Sequence, residues 1–518
     1  MALGPVLDDE REDRAHRPWW ETRPFVAAVI LLSMVPLLYP PIPPLVDLFG
    51  HMGRYRVQLD LHNSPWLSQY YGFHWAAIGN LGVDLLVMPL GRLIGLEPAV
   101  KLIVLAIPPM TVAGFLWVAR EVHHRLPPTA LFALPFAYSH PFMFGFVNFA
   151  LSVALAFLAF GLWLRLGRLG KLRLRAMLFV PISIVVFFAH TFGWGMLGLL
   201  CFSAEAVRQH DEGRSWWRSG INAALHASVM ALPLFIMLAW RSEAHGGMTR
   251  GWFDWDYKWT YIKQALRDRW KWFDLASVAA VGLVLLTAIA VRRLTFSRNL
   301  LFTAMVLTVG FVILPRTVFG STYADMRLLP YVLATAVLAI RFHGPTHLPL
   351  ARVLAILGLG FYAIRLGGTT VSMALAANDQ KAELEALDHV PMGARVGWIT
   401  DELSCGHGWR LPTNSHLGAM VIVRRHGFSN DQWVIEGLNL LDLKYRAAGK
   451  FASDPSQITR PSWCRGRGGW FVNAALYQFP RDKFDYLWMI DPPPFNPVYV
   501  EGLTPVWRNG RSILYRLD

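Results

Sequence analysis

At 518 residues with 54% hydrophobic and only 16% charged residues, the chain is too apolar for an ordinary soluble enzyme, in which about a quarter of residues are charged. Its formal net charge of +14 would in a soluble protein point to nucleic acid. Here Lys and Arg fall in short clusters between apolar runs, where they set membrane topology, so a multi-pass membrane protein without a nucleic-acid partner is expected.

Residues 1–23 form a long, mixed-charge polar head, and no small-residue cleavage site follows the first apolar stretch; the first helix is expected to be retained and the head to stay cytoplasmic. Stretches long enough to cross a bilayer lie near 24–40, 99–119, 128–143, 146–165, 174–190, 191–207, 219–240, 274–292, 299–315, 328–342 and 350–368. A further candidate, residues 76–98, carries Asp84, Pro89, Arg92 and four glycines. Counting it as a crossing would set the basic run "RLGRLGKLRLR" (165–175) on the opposite side from the arginine-bearing N-terminus. Without it, about eleven crossings remain and the loops holding Arg120 and Arg125, Arg208, Arg214 and Arg218, and Arg292, Arg293 and Arg298 all join the N-terminus. Residues 76–98 are then expected to lie along the outer interface, within an external loop from 41 to 98. One external loop, 241–273, goes against the charge rule with seven Lys and Arg, alongside acidic residues and many Trp and Tyr suited to the headgroup layer.

After residue 369 the composition becomes that of a soluble domain. "GARVGWIT" and "FDYLWMID" read as buried strands and "TPVWRNGRSILYRLD" as a hairpin turning at Asn509-Gly510, so residues 369–518 are expected to form a small external α/β domain. The three cysteines lack metal-ligand spacing, which argues against a zinc site. On the external side Cys405 and Cys464 are expected to pair, the alternative being two reduced thiols.

With this topology the polar residues collect outside. Asp47, His51 and Arg54 open the first external loop; Tyr138, His140 and Asn148 flank "YSHPFMFGFVN"; His190 and Thr191 sit at the next outer turn; Arg316, Tyr323, Asp325 and Arg327 occupy "PRTVFGSTYADMRLLP". Ionisable groups converging at one membrane face are a site hypothesis. Each has a plainer reading too. Asp47 could cap a helix, Arg316 and Arg327 could snorkel to the interface, and His140, His190 and Asn148 could be satisfied polar groups between helices. Asp325 could pair with Arg327 or cap the next helix. Asp47, His51, Arg54 and Gln58 are spaced to share one helical face, so carboxylate, imidazole and guanidinium would point the same way. A carboxylate in a partly dehydrated pocket is a usable general base, and cations beside it hold an anionic leaving group such as phosphate.

An aspartate just after the first membrane helix in "PLVDLFGHMGR", a long external loop with interfacial helices, about a dozen crossings and an outer C-terminal domain together resemble the GT-C superfamily of polyprenyl-phosphate-dependent glycosyltransferases. That superfamily includes the aminoarabinose transferases and protein O-mannosyltransferases. "FGFVNFALSVALAF" and "YADMRLLP" also look like segments of its bacterial members. The resemblance implies a catalytic module over 24–368 in a bacterial plasma membrane, and inverting transfer of a sugar from a polyprenyl-phosphate donor to an extracytoplasmic glycan, lipid or protein acceptor. Asp47 would deprotonate the acceptor, and His51, Arg54, Arg316 and Arg327 would bind phosphate. His140, Asn148, His190, Tyr323 and Asp325 complete the candidate substrate-binding set. Asp60 or Asp84 would be the counterpart of a second acid, with a divalent metal an open question. The loop 241–273 would border the donor's entrance or serve as an interfacial anchor. Competing readings are a ligase or polymerase of surface polysaccharide with the same fold, a transporter or flippase, and a non-catalytic scaffold. His226 and Asn222 are the chief polar residues inside a span, which gives the transporter reading little to work with.

Overall fold

The computed structural model describes residues 17–243, 248–401, 408–434, 439–464 and 469–517. Its helices used below are α1 (Arg23–Leu32), α2 (Leu48–Asp60), α3 (Gly82–Ile94), α4 (Leu96–His123), α5 (Val147–Arg168), α6 (Leu172–Ala189), α7 (Thr191–Asp211), α8 (Lys271–Ala290), α9 (Arg298–Ile313), α10 (Ala324–Leu338), α11 (Leu348–Leu384) and α12 (Met420–Arg425).

Among the described residues, α4, α5, α6, α8 and the helical run Leu348–His389 are each long and apolar enough to cross a bilayer, and Trp216–Met230 with Leu232–Ala239 makes a sixth span if taken across its 62° bend. The molecule is a membrane protein. Other stretches read as crossings take different forms. The segment 24–40 is broken into α1 and Val35–Leu38. The segment 128–143 forms a 3₁₀ stretch, Pro128–Tyr138, followed by His140–Met143. Prolines at 127, 128, 135 and 141 remove amide donors and prevent a continuous α ladder. Every residue from Pro128 to Tyr138 is buried, so the apolarity of this segment serves packing among helices.

Helix α3 has 13 residues, about 20 Å, too short to span. It buries Val83, Asp84 and Val87 and exposes Leu85, Leu86, Leu93 and Ile94, the pattern of a helix lying along an interface.

The C-terminal part holds a seven-stranded mixed sheet. Its strands are β1 (Arg395–Asp401), β2 (Phe428–Ser429), β3 (Ile458–Arg460), β4 (Trp470–Phe471), β5 (Tyr486–Ile490), β6 (Thr504–Asn509) and β7 (Ser512–Arg516). The order is β4-β3-β1-β5-β7-β6, with β2 also pairing β1. Strand β1 runs parallel to β5, β3 and β2, and β7 runs antiparallel to β5 and β6. The β6–β7 hairpin pairs Asn509 with Ser512 and turns at Gly510, whose φ of +55° suits glycine.

Period-two alternation assigns the two faces of this sheet. Val396, Trp398, Trp488, Ile490 and Leu514 join the same apolar core as the membrane helices. Ile399, Leu487, Met489, Ile513 and Tyr515 pack in a second core with Val57 of α2. The sheet is therefore covered on both sides, and α2 is wedged between it and the helices.

The wedge depends on two glycines one turn apart. A Cβ on Gly50 would lie 2.5 Å from Trp433, and one on Gly53 would lie 2.5 Å from Gln432 and 3.2 Å from Ala419. Gln432 Nε2 also donates to the Gly50 carbonyl at 3.2 Å. Each mid-helix glycine costs about 1 kcal/mol against alanine, offset here by the close approach of the C-terminal part.

Candidate active site

Prolines at 40, 41, 43 and 44 prevent a helix from continuing out of the first apolar stretch, and the chain then rests against the turn after Met143. The Asp47 amide donates to the Phe144 carbonyl at 3.0 Å. Gly145, at φ +93°, leaves no room for a side chain, since a Cβ there would lie 2.6 Å from the Asp47 nitrogen. Gly145→Ala should push the Asp47 backbone aside and force a left-handed conformation on alanine, costing at least about 1 kcal/mol. The expected outcome is a lowered thermal midpoint together with loss of transfer activity.

Asp47 occupies the N-cap position of α2, yet its carboxylate makes no capping hydrogen bond. The side chain is 15% exposed and faces the C-terminal part. His416 Nε2 lies 3.8 Å from Asp47 Oδ1. On the other edge of the ring, Nδ1 lies 2.8 Å from Asp431 Oδ1. The ring of Trp433 packs against both His416 and His51, with centroids 4.5 and 5.1 Å apart. Asp47, His416 and Asp431 thus form a chain of acid, imidazole and acid across the seam between α2 and the C-terminal part.

Burial sets the protonation of this group. Loss of water raises the Asp47 carboxyl to about 7, with His416 and Arg327 pulling it down and Asp454 and Asp431 pushing it up. Burial also works against charge on His416, but the hydrogen-bonded Asp431 carboxylate outweighs it, followed by Asp47 and Asp454, and the imidazolium persists to about pH 9. Asp431 is raised to about 6 by burial against the pull of His416. His51 goes the other way: burial, then Arg54, His416 and Arg327, hold it well below the ordinary range, so it is a neutral ring.

One cation, Arg327, approaches Asp47 from α10. The Arg327 guanidinium is buried over Phe146, Phe192 and Phe149, 4.3, 5.4 and 5.9 Å from their centroids, and its Nε and Nη1 have no hydrogen-bond partner among the described residues. Arg316 stacks 3.4 Å above the Tyr257 ring and 5.5 Å from that of Tyr323, and its buried Nε is likewise unpartnered. Tyr323 is bulky yet has φ +64°, a conformation that costs on the order of 1–3 kcal/mol. Burial pushes its phenol up, Arg316 pulls it back and the Asp47 carboxylate adds to the rise, which ties it electrically to both. His140 carries two buried ring nitrogens without partners among the described residues, beside Phe144.

The remaining candidates are engaged elsewhere. Arg54 lies 2.9 Å from Asp84, both buried, and Asn148 Nδ2 donates to Asp84 at 3.0 Å while its Oδ1 accepts from the Val83 amide. Gln58 Nε2 donates to the Asp84 carbonyl at 2.9 Å. The stripe along α2 therefore divides: Asp47 and His51 feel the charge of Arg327 on α10, whereas Arg54 and Gln58 tie α2 to α3. Arg54→Ala should destabilise by about 3–5 kcal/mol by stranding the Asp84 charge. Arg54→Met/Asp84→Leu should recover most of that loss, as read by thermal unfolding in detergent.

Asp325 pairs with buried Lys258 at 3.1 Å, not with Arg327, and the same ammonium donates to the Phe311 and Leu314 carbonyls. His190 caps α7, its Nδ1 accepting from the Phe192 amide at 3.1 Å. Tyr138 donates to the Ser33 carbonyl at 2.6 Å. Asp60 pairs with Arg56 one turn away. Cys464 is disulfide-bonded and Cys201 is a free buried thiol; Cys405 lies outside the described residues.

A divalent metal does not fit these residues. Asp84, the better-placed second acid, already faces a guanidinium, and among the described residues no group of three His, Cys, Asp or Glu side chains is placed to hold a metal.

No protein-family model matches the chain, and no curated protein matches it. Solved structures do. The crystal structure of ArnT from Cupriavidus metallidurans bound to undecaprenyl phosphate superposes with a TM-score of 0.50 at 11% identity, covering 95% of this chain and 97% of that one. The fold is ArnT-like. The apo form of the same ArnT gives 12% identity and a TM-score of 0.48 over the same shares. The ArnT-like fold extends over membrane helices and the C-terminal part together, and bears out, at the level of the fold, the resemblance read from the sequence.

Proposed function

We propose that this protein is an integral membrane glycosyltransferase that moves a sugar from a polyprenyl-phosphate donor to an acceptor on the outer face, with inversion. The observation that carries the reading is a carboxylate raised to about 7 and free of capping, set against a buried arginine whose Nε and Nη1 have no partner among the described residues. The ArnT that shares the fold was crystallised with undecaprenyl phosphate, which supports a lipid-linked phosphate as the ligand of that arginine.

In this scheme Asp47 takes the proton from the acceptor hydroxyl as its oxygen attacks the anomeric carbon. The bond from that carbon to the phosphate oxygen breaks, and the charge left on the polyprenyl phosphate is met by Arg327 and Arg316. His416, charged through Asp431, lies on the far side of Asp47 and favours the ionised base. Trp433 and His51 shield that contact from water. Residues 24–368 would form the catalytic module and 369–518 an outer domain that completes it, with the N-terminus cytoplasmic and the chain resident in a bacterial plasma membrane. A polysaccharide ligase or polymerase would use the same arrangement with a longer acceptor.

The test uses membranes containing the protein and polyprenyl-phosphate sugars labelled in the lipid, with release of polyprenyl phosphate as the readout. Wild type is expected to release it above vector membranes, and Asp47→Asn is not. Equal release from the two removes the assignment. His416→Gln tests the pH profile: removing the cation that lowers the Asp47 pKa raises it further above about 7, so the acid limb of the activity profile should move to higher pH than in the wild type.

A further inference from the structure

A second cavity lies away from Asp47. Helix α5 begins two residues after Gly145, beside the site, and runs 22 residues, about 33 Å, to Arg165 and Arg168. That length is roughly the thickness of the hydrocarbon core, so these arginines mark the other end of the molecule. There a cavity of about 600 Å³ opens between the start of α1, the end of α4 and the end of α5.

Its charge is lopsided. Six arginines line it against two glutamates, Glu21 and Glu121. Both acids are already engaged, Glu21 by Arg125 at 3.2 Å and Glu121 by Arg168 at 2.7 Å. Arg23, Arg120 and Arg165 come from three different elements and have no ion-pair partner among the described residues. Topology alone asks only that cations lie in the loops on one side. It does not ask that three helices aim theirs into one cavity.

The other wall is apolar. Val26, Ile30, Ala113 and Leu116 line the same cavity and belong to α1 and α4, so a ligand held by its charged end would run its tail along these helices. A free inorganic anion would leave that wall wetted. We infer that this cavity binds the phosphate headgroup of an anionic membrane phospholipid, held by Arg23, Arg120 and Arg165, with its acyl chains along α1 and α4. The site is distinct from the sugar-transfer site and does not depend on that reading.

The test is native mass spectrometry of the purified full chain in detergent with equal amounts of phosphatidylglycerol and phosphatidylcholine. The wild type should retain phosphatidylglycerol over phosphatidylcholine by about fivefold or more. Arg120→Ala/Arg165→Ala should bring the ratio near one, Arg120→Lys/Arg165→Lys should keep most of it, and Arg292→Ala/Arg293→Ala, a basic pair outside the cavity, should leave it unchanged. Four results overturn the inference. One is a ratio near one in the wild type. The second is an equal loss in the Arg292/Arg293 control. The third is complete displacement of the lipid by millimolar inorganic phosphate. The fourth is a preference that emerges only after removal of residues 1–16, which would assign the cavity to the acidic run "DDERED" at 8–13.

Discussion

Asp47→Asn is expected to lower turnover by at least about 10³-fold, toward the upper end of what general-base catalysis contributes, while leaving the protein as stable as wild type or more so. The amide keeps the size and the N-cap position but cannot accept the acceptor's proton. Stability moves the other way because of where the carboxyl titrates. Its unfolded value is 3.8 and its folded value about 7; the folded state therefore binds the proton more tightly and loses stability as pH rises through that window, by up to about 4 kcal/mol. Attraction to charged His416 is already contained in that folded value. At pH 8 the Asn variant escapes the penalty, so its thermal midpoint should equal or exceed that of the wild type. At pH 4 the gap should close. A variant that is inactive and also clearly less stable at pH 8 would mean that Asp47 serves the fold, and the base assignment would go.

Arg327→Ala is expected to cost about 10²- to 10³-fold in turnover, the scale of losing one preorganised donor to a developing anion. Arg327→Lys should recover little, because an ammonium is a point charge and cannot present the planar fork of donors. The folded protein now buries Nε and Nη1 without partners, at a desolvation cost of about 1–3 kcal/mol per group. Removing them while keeping bulk, as in Arg327→Met, should raise the thermal midpoint even as transfer is lost. Separate kcat and KM values decide the role. A fall confined to kcat fits stabilisation of the leaving phosphate in the transition state, and a rise confined to KM fits ground-state binding only. Unchanged values for both would exclude Arg327 from the site.

What could be read in the sequence follows the range of the forces involved. Apolar length, charge placement and the Asn509-Gly510 turn are local, and they led to membrane helices, the strand pair β1 and β5 and the closing hairpin. That the helix at 82–94 does not span followed from one charge asymmetry. The candidate site was legible at Asp47 and His51, through helix geometry, and at Arg316, Tyr323 and Arg327, through their place at one membrane face. Arg54 has the same spacing and a different fate, because Asp84 lies within reach across a loop of no fixed length. His416 and Asp431 were missed altogether: they sit 15 residues apart with no periodicity to mark them, and only the docking of the sheet brings them to Asp47. One local signal did point there. Gly50 and Gly53, costly inside a helix, announce that something must approach α2 closely on that side.

That close approach has a consequence in time. The base is written at residue 47, but the imidazole and acid that tune it are written at 416 and 431, on a sheet whose central strand β5 ends at residue 490 and whose edge closes with 512–516. A ribosome releases the first membrane helices long before it has made these strands. On the proposed chemistry, the nascent chain would sit among donor lipids with its base still untuned, and would gain the imidazolium beside it only when synthesis is nearly complete.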